Sequence, residues 1–417
     1  MKLDKNTFCA AAWFQVRNEH SDNNYRVCCE IQPSESEFSG ERFLKWPDNT
    51  PKDFLNSEYT QYIRKKLNDG KRIPECYRCW KKEDSGGKSL RQTSNDTVTN
   101  NHGYDLDNTW VKNYFKNKKD FISDILISAD IKTSNLCNFS CIMCNPMDSS
   151  KLYTKWQKNK DNPAIRTLLK NEKPDYLANV KRVYMDKNTR HSLLKSFLNL
   201  KPKHVKILGG EPLMDEKSLE ILENFKEKSK VKLLFVTNGS KNLVQISERF
   251  KNYKDVNYTI SLDGNSSIQD YIREGSDWKH IEKNVLDYKQ KYPNNKLSVN
   301  CTVQALNVYH LPELIDWCKL NAIALNFSLL SEPYHMSMAS IPPELKTIMI
   351  NNISPVNLHI EKVAEYENSY QLVDIKKLLL ETEFNEQALE DLKEYIRWYD
   401  PHQKWKNVIP EWKPYLE

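Results

Sequence analysis

Glycine is scarce in this chain. Only 10 of the 417 residues are glycine, well below the usual share of about 7%, so the position of each one is informative. Five of them, Gly209, Gly210, Gly239, Gly264 and Gly275, fall within one short stretch. The first four directly follow apolar runs, which we interpret as buried strands.

Long apolar runs are absent as well. No stretch approaches the roughly 18 apolar residues that a membrane span requires, and the charged residues 1–6 are not typical of a secretory segment. The histidines form no pair with metal-site spacing. The 62 Lys and Arg and the 56 Asp and Glu are spread along the chain, which indicates a solvated surface and not a nucleic-acid-binding stripe. We therefore expect a cytoplasmic protein with no membrane or nucleic-acid partner.

Three of the ten cysteines, Cys137, Cys141 and Cys144, lie within eight residues. Chance would produce this spacing roughly 0.006 times in a chain of this composition. A four-iron cluster held by three thiolates keeps one iron open for a chelating ligand, whereas an electron-carrying cluster is closed by four. Zinc is the alternative, but a structural zinc site requires four ligands and no fourth lies nearby in sequence. The spacing predicts a catalytic 4Fe-4S cluster.

This triad and the later turn Gly209-Gly210-Glu211-Pro212 together resemble the radical S-adenosylmethionine (radical SAM) enzymes. The resemblance implies that the open iron binds the amino and carboxylate groups of S-adenosylmethionine, and that the Gly-Gly-Glu-Pro turn contacts the amino group. Paired glycines allow close backbone approach to a ligand, and a carboxylate suits an ammonium group. The implied activity is reductive cleavage to a 5′-deoxyadenosyl radical, which abstracts a substrate hydrogen. A reductant such as flavodoxin or ferredoxin is implied too.

Apolar runs alternate with helical patterns through the middle of the chain. The pattern predicts about six parallel βα units, a partial (β/α)6 barrel of the TIM type over residues 121–333. Predicted strands cover residues 127–132, 205–208, 231–236, 256–262, 297–303 and 323–329, and predicted helices cover 219–225, 243–250 and 311–320. The segment 145–203 is longer than one helix needs, and we interpret its middle as an insertion.

Polar residues follow the predicted strands, where the active site of such a barrel lies. By resemblance, Ser261 and Asp263 occupy ribose-binding positions, Asn238 lies near the ligand, and Arg273 reaches its carboxylate. Met143 stands where the family often has an aromatic residue whose backbone meets the adenine. Ordinary turn residues are the alternative interpretation of these strand ends.

Five further cysteines lie in the N-terminal third: Cys9, Cys28, Cys29, Cys76 and Cys79. Four thiolates, with one from the adjacent pair, could close a second cluster. Their order resembles the auxiliary-cluster modules called twitch or SPASM domains, although those usually follow the radical domain. We expect an auxiliary iron–sulfur cluster within residues 1–120, with structural zinc or free thiols as the alternatives.

After residue 333 the pattern becomes helical and polar, and we expect a helical C-terminal extension over residues 334–417 with helices at 356–366, 372–380 and 388–398. Trp398, Trp405 and Trp412 are predicted to dock this extension onto the barrel. Cys301 and Cys318 read as buried free thiols. If Cys301 faces the barrel interior, it could instead donate a hydrogen atom to a substrate radical.

The substrate is not readable from the sequence. Resemblance to twitch-type enzymes implies a peptide or small-molecule substrate, an inference from family analogy alone. The alternative from another class is a non-catalytic iron–sulfur or zinc-binding interaction protein. The presence of both the cysteine triad and the Gly-Gly-Glu-Pro turn argues against it.

Overall fold

A computed structural model of the chain describes residues 4, 6–19, 24–84, 86–100, 114–116, 118, 120–170, 175–185, 187–353 and 372–417. Its described strands form one sheet with the order β2-β1-β3-β4-β5-β6-β7-β8. In chain order they are β1 Gln15–Asn18, β2 Tyr25–Arg26, β3 Ser128–Lys132, β4 His204–Leu208, β5 Lys232–Thr237, β6 Asp255–Ser261, β7 Leu297–Val303 and β8 Ala324–Leu329.

The described α-helices cover the sheet and extend beyond it. They are α1 Ala10–Phe14, α2 Pro51–Leu55, α3 Glu58–Asn68, α4 Tyr77–Asp84, α5 Leu90–Asn100, α6 Ser150–Lys158, α7 Pro163–Lys170, α8 Tyr176–Met185, α9 Lys187–Leu198, α10 Glu216–Glu223, α11 Leu243–Arg249, α12 Ser266–Ile272, α13 Trp278–Lys291, α14 Leu311–Leu320, α15 Pro343–Ile353, α16 Leu372–Glu381, α17 Glu386–Tyr399, α18 Trp405–Val408 and α19 Lys413–Leu416. Within the described part of the chain, no helix is long and apolar enough to cross a membrane.

Strands β3 to β8 are parallel, and each pairs with the next strand along the chain. This consecutive order confirms the predicted partial barrel of six βα units. The sheet is larger than predicted, because β1 joins β3 in parallel and β2 pairs with β1 in antiparallel. The N-terminal region thus contributes to the same sheet, which remains open between β2 and β8.

Each strand places alternate residues on the two faces of the sheet. On β6, Tyr258 packs against Tyr288 of α13 with ring centroids 4.8 Å apart. The side chains at the even-numbered positions of β6 therefore face the helices. Ser261 lies on the opposite, interior face and is partly exposed, next to Asn300 of β7. The interior of the partial barrel is therefore reachable by solvent and carries polar groups.

The predicted insertion contains helices α6 to α9, and the C-terminal extension contains α16 and α17 as predicted. The predicted helix at residues 356–366 lies outside the described residues. Trp405 and Trp412 are buried in the same apolar core as the barrel strands, whereas Trp398 is partly buried against it. This packing confirms the docking role predicted for the tryptophans.

Candidate functional site

The eight residues from Cys137 to Cys144, called the cluster loop below, follow β3 and are fixed by backbone hydrogen bonds. The Ser140 amide donates to the Glu274 carbonyl at 2.9 Å, and the Ile142 amide donates to the Ile272 carbonyl at 2.8 Å. Ser149, the N-cap of α6, donates its hydroxyl to the Phe139 carbonyl at 2.6 Å. The loop is held in place by the end of α12 and the start of α6.

The three thiols of the cluster loop share one electrostatic environment. Burial raises the pKa of Cys137, Cys141 and Cys144, to about 12 for Cys141, and neighbouring thiols of the triad raise the pKa of Cys141 and Cys144 further. The Phe139 amide donates to the Cys137 sulfur at 3.4 Å. Adjacent buried thiolates are unfavourable alone and become stable when they bind positive metal ions. The triad therefore fits a metal cluster.

A single metal ion fits the described cysteines less well. Among the described residues, no group of three or more His, Cys, Asp or Glu side chains could hold one ion. Thiolates on zinc must all lie about 2.3 Å from the same atom, whereas thiolates on a cluster bind separate irons and lie farther apart.

The Gly-Gly-Glu-Pro turn lies directly against the segment that precedes the cluster loop. Gly210 donates its amide to the Ser134 carbonyl at 2.9 Å, and Glu211 donates to the Leu136 carbonyl at 2.7 Å. A Cβ at Gly210 would lie 2.5 Å from the Leu136 oxygen, and one at Gly209 would meet the Ser134 oxygen. The close approach that requires glycine here is to the chain itself. A contact of these glycines with S-adenosylmethionine stays a prediction.

Glu211 is completely buried, and its carboxylate has protein partners. It accepts hydrogen bonds from the Thr237 hydroxyl at 2.7 Å, the backbone N–H of Asn238 at 2.7 Å and the backbone N–H of Leu213 at 3.1 Å. Burial raises the pKa of Glu211, and these hydrogen bonds oppose the shift. The carboxylate joins the ends of β4 and β5, a role that sequence reasoning did not find. Pro212 follows it as the first residue of a 3-10 turn.

Asn238 connects the end of β5 with the cluster loop. Its amide nitrogen donates to the Asn138 side-chain oxygen at 2.9 Å, and the Asn138 amide nitrogen donates to the Ser240 hydroxyl at 3.1 Å. The structure therefore brings Asn238 to the cluster loop, and its place near the ligand stays a prediction. Sequence reasoning missed Asn138, although its place between the first two cysteines was a usable signal.

Asp263 and Arg273 form a buried ion pair, with Nε and Oδ2 2.8 Å apart. The Thr302 amide donates to the other carboxylate oxygen at 2.7 Å. The guanidinium charge lowers the pKa of Cys141, opposing the effect of burial. Arg273 thus lies beside the triad, but within the described residues both members of the pair are engaged with each other. Ser261 is the more exposed of the two predicted ribose ligands.

Met143 is partly buried within the cluster loop, and contact of its backbone with the adenine stays a prediction. Cys301 lies on the helix-facing side of β7 and is completely buried, with its sulfur 3.7 Å from the Asn307 amide nitrogen. This face is opposite to the interior one that carries Asn300. The position does not favour the hydrogen-donor role, which stays an untested prediction for Cys301.

The N-terminal cysteines enclose a cavity. It contains about 350 Å³ of space, open solvent included, and its lining includes Cys9, Cys28, Cys76, Cys79 and Arg91. These thiols come from the N-cap of α1, the loop after β2, a 3-10 turn and α4. The thiols of Cys9, Cys76 and Cys79 each act on the pKa of Cys28. The cavity therefore unites the four predicted ligands.

Cys29 faces a different environment from Cys28. The residue as a whole is exposed, but burial of its thiol raises the pKa of Cys29, and the charges of Arg17 of β1 and Lys206 of β4 oppose that shift. Both residues belong to one row across the sheet, with Asp130 of β3 between them. The adjacent cysteines thus diverge, with Cys28 in the cavity and Cys29 against the sheet.

Residues 131–318 match the model of the Radical SAM superfamily. The chain contains a radical SAM domain. Enzymes of this superfamily use a 4Fe-4S cluster and S-adenosylmethionine, which is the pair of cofactors that the triad and its surroundings suit. The matched span runs from β3 to α14 and includes the cluster loop, the Gly-Gly-Glu-Pro turn and the Asp263–Arg273 pair.

Curated relatives include the probable GTP 3′,8-cyclase of Methanocaldococcus jannaschii, 28% identical over 153 residues, which are 34% of this chain and 50% of the relative. The corresponding protein of Methanococcus maripaludis is 26% identical over 174 residues, 42% of this chain and 55% of the relative. The chain thus spans about half the length of the curated relatives it matches.

Solved structures with some likeness include two proteins with bound S-adenosylmethionine. One is anSMEcpe with bound AdoMet and Kp18Cys peptide, at 18% identity over 62% of this chain and 68% of that chain, with a TM-score of 0.38. Another is SuiB of Streptococcus suis bound to S-adenosylmethionine, at 15% identity over 77% of this chain and 52% of that chain, with a TM-score of 0.34.

Proposed function

We propose that this protein cleaves S-adenosylmethionine reductively and uses the resulting 5′-deoxyadenosyl radical to abstract a hydrogen atom from its substrate. The observation that carries the proposal is the three-thiolate cluster loop at the carboxyl end of β3. A 4Fe-4S cluster on Cys137, Cys141 and Cys144 would supply the electron for cleavage and one open iron for the ligand. The protein would bind both, orient them and exclude water.

The roles of the surrounding residues follow from their contacts. Glu211 fixes the turn against which the cluster loop packs, and Asn238 reaches Asn138 inside the loop. Arg273 adds positive charge beside the thiolates. Ser261, Met143 and the backbone of Gly209 and Gly210 remain our candidates for contact with S-adenosylmethionine. Radical chemistry requires that the substrate reach the interior face, where Ser261 and Asn300 present polar groups.

We also propose an auxiliary iron–sulfur cluster ligated by Cys9, Cys28, Cys76 and Cys79, so that residues 1–120 act as a twitch-like module before the barrel (121–333) and the helical extension (334–417). Four thiolates would close this cluster and leave no iron open, which suits electron transfer better than ligand binding. The cavity lined by these four residues supports this assignment. Cys29 is left out, because it faces Arg17 and Lys206.

A peptide or small molecule is the proposed substrate class, and flavodoxin or ferredoxin is the proposed type of reductant. Solved structures of anSMEcpe contain peptides, and SuiB has been solved with the precursor peptide SuiA. The test of substrate class is incubation with candidate peptides and detection of substrate-dependent 5′-deoxyadenosine. Nucleoside triphosphates are tested beside the peptides, because the curated relatives carry the name of a GTP cyclase.

The decisive experiment concerns cleavage without substrate. Anaerobically reconstituted protein with dithionite should convert S-adenosylmethionine to methionine and 5′-deoxyadenosine. The triple variant Cys137→Ala, Cys141→Ala and Cys144→Ala should not, because it lacks the ligands of the cluster. Cys318→Ala is the matched control, since it removes a buried thiol from α14 and should leave cleavage intact. Wild-type protein that holds its cluster but forms no 5′-deoxyadenosine would favour the interaction protein instead.

A further inference from the structure

Helix α17 of the C-terminal extension lies against the cluster loop. The Tyr399 hydroxyl donates to the Ser140 carbonyl at 3.0 Å, and the Tyr395 hydroxyl donates to the Ile142 carbonyl at 3.1 Å. Both tyrosines are buried. The two carbonyls belong to the residues on either side of Cys141, the central thiol of the triad.

The two tyrosines lie four residues apart on α17. Residues four apart on a helix lie on the same side and are separated by about 6 Å along the axis. One side of α17 therefore reaches both carbonyls at once.

The amides of the same two loop residues are bound from another element. Ser140 and Ile142 donate their amides to the carbonyls of Glu274 and Ile272 at the end of α12. The polar backbone groups on both sides of Cys141 thus have partners from α12 on one hand and α17 on the other. Because Ser140 and Ile142 are almost completely buried, water would not readily replace the tyrosine hydroxyls.

Side chains connect the two elements around the loop. Glu274 accepts from the Ser140 hydroxyl at 2.8 Å and pairs with the Lys155 ammonium at 2.8 Å. The Lys155 nitrogen also lies 4.2 Å from the centroid of the Tyr399 ring, within the range of a cation–π contact. Loop, α12, α6 and α17 therefore form one continuous set of contacts.

Helix α17 is itself anchored to the rest of the protein. The Asn385 amide donates to the Ala339 carbonyl at 2.8 Å, and its side chain caps the helix by accepting from the Ala388 amide at 2.8 Å. The Tyr395 ring lies 4.9 Å from the His335 ring. The hydroxyls are thus presented from a fixed support and not from a freely moving tail.

From these contacts we infer that Tyr395 and Tyr399 are positioning residues that hold Cys141 in place for the cluster, so that the C-terminal extension completes the radical-generating site. The inference rests on the proposed function, since it takes the triad to hold a cluster. Neither tyrosine acts on S-adenosylmethionine or substrate in this account. They act through the backbone of the loop.

The test uses full-length Tyr395→Phe and Tyr399→Phe variants and their combination. Phenylalanine keeps the ring packing and removes only the hydroxyl. The control is Tyr253→Phe, because the Tyr253 hydroxyl donates to the Leu222 carbonyl at 2.6 Å in an equally buried position elsewhere in the barrel. Each protein is reconstituted anaerobically, and the release of iron to a chelator and the electron paramagnetic resonance spectrum of the reduced cluster are measured. Both are recorded in the Cys76→Ala, Cys79→Ala background, which removes the proposed auxiliary cluster.

Loss of one hydrogen bond of ordinary strength should speed iron release about fivefold, so the double variant should release iron about thirtyfold faster than its parent, and its spectrum should change. The rates of iron release from the two single variants should lie between those of the parent and the double variant. Tyr253→Phe should match the parent in both iron release and spectrum. A double variant with the parent's spectrum and iron release would overturn the inference. If the parent itself holds no iron, the proposed function fails; if it holds a cluster that the tyrosines do not affect, only the positioning role fails.

Discussion

Replacing Glu211 with glutamine separates a structural role of this carboxylate from a role in ligand binding. The carboxylate accepts from the Asn238 and Leu213 amides and from the Thr237 hydroxyl, all inside the protein. Glutamine offers one oxygen, so it can satisfy the two donors that share Oε1. The glutamine NH2 group would take the place of Oε2 and face the backbone N–H of Asn238, so that two hydrogen-bond donors would oppose each other.

The expected cost follows from that one mismatch. A buried donor left without a partner costs about 1–3 kcal/mol, and hydrogen bonds to charged groups lie in the upper part of the range. Glu211→Gln should therefore lower the free energy of unfolding by about 2–3 kcal/mol. Glu211→Ala should cost more, because it leaves both backbone amides and the hydroxyl without their acceptor. Anaerobic urea unfolding followed by circular dichroism measures the loss.

A control and a second measurement make the test decisive. Glu220→Gln removes an exposed carboxylate that pairs with Lys217, and it should leave the unfolding curve unchanged. Affinity for S-adenosylmethionine is then measured by equilibrium dialysis of each reconstituted protein. If Glu211→Gln unfolds like the wild type yet binds S-adenosylmethionine much more weakly, the structural account is wrong and the carboxylate serves the ligand.

Three further predictions concern other parts of the molecule. In the triple variant that lacks Cys137, Cys141 and Cys144, a further Cys28→Ala change should abolish the remaining bound iron and sulfide, whereas Cys29→Ala should retain them. Equal losses from the two changes would contradict the divergent placement of the two side chains. Gly210→Ala should reduce the iron bound by the triad after reconstitution, because its Cβ would meet the Leu136 carbonyl; normal iron content would show that the turn can move aside. Burial lowers the pKa of His335 to about 4 in the folded protein. Between about pH 6.5 and pH 4, His335 is therefore protonated in the unfolded chain but neutral in the folded protein. The free energy of unfolding should fall by up to about 3 kcal/mol as the pH drops through that window. A His335→Phe variant whose unfolding free energy differs from the wild type equally at pH 4.5 and 7.5 would refute this assignment.

The strands that sequence reasoning located are those in which burial alone decides the structure. Residues 297–303 coincide with β7, and the other five predicted strands differ from the structure only at their ends. Strands β1 and β2 escaped because they are short and partly polar, with Gln15–Asn18 reading QVRN. Strand β1 pairs with β3, more than 100 residues later, and β2 pairs with β1, so no local pattern reveals their extended conformation.

The candidate site, like the fold, has residues that local sequence motifs reveal and residues that they do not. The cysteine triad and the Gly-Gly-Glu-Pro turn are local motifs, and they located the cluster loop from sequence alone. The partners of these motifs are distant in the chain, since the tyrosines that bind the loop lie 253 and 259 residues away from the carbonyls they contact. For the paired glycines the structure adds a close approach to the backbone of Ser134 and Leu136, while their contact with a ligand stays a prediction, because a sequence indicates that a close approach is needed but not which group approaches.

Both cysteine groups are built next to a buried arginine. Burial raises the pKa of Cys141 and of Cys9, and the charge of Arg273 or Arg91 opposes that shift. Each arginine is also paired with a carboxylate, Asp263 at 2.8 Å and Glu83 at 2.7 Å, which acts in the same direction as burial. Burying a guanidinium is costly unless nearby negative charge compensates it. A single carboxylate already balances each arginine while the thiols are neutral, so the additional attraction is realised only when the cysteines are thiolates. The arrangement therefore fits our proposal that both cysteine groups bind metal, because thiolates on an iron–sulfur cluster would be attracted to the arginine more strongly than neutral packed thiols.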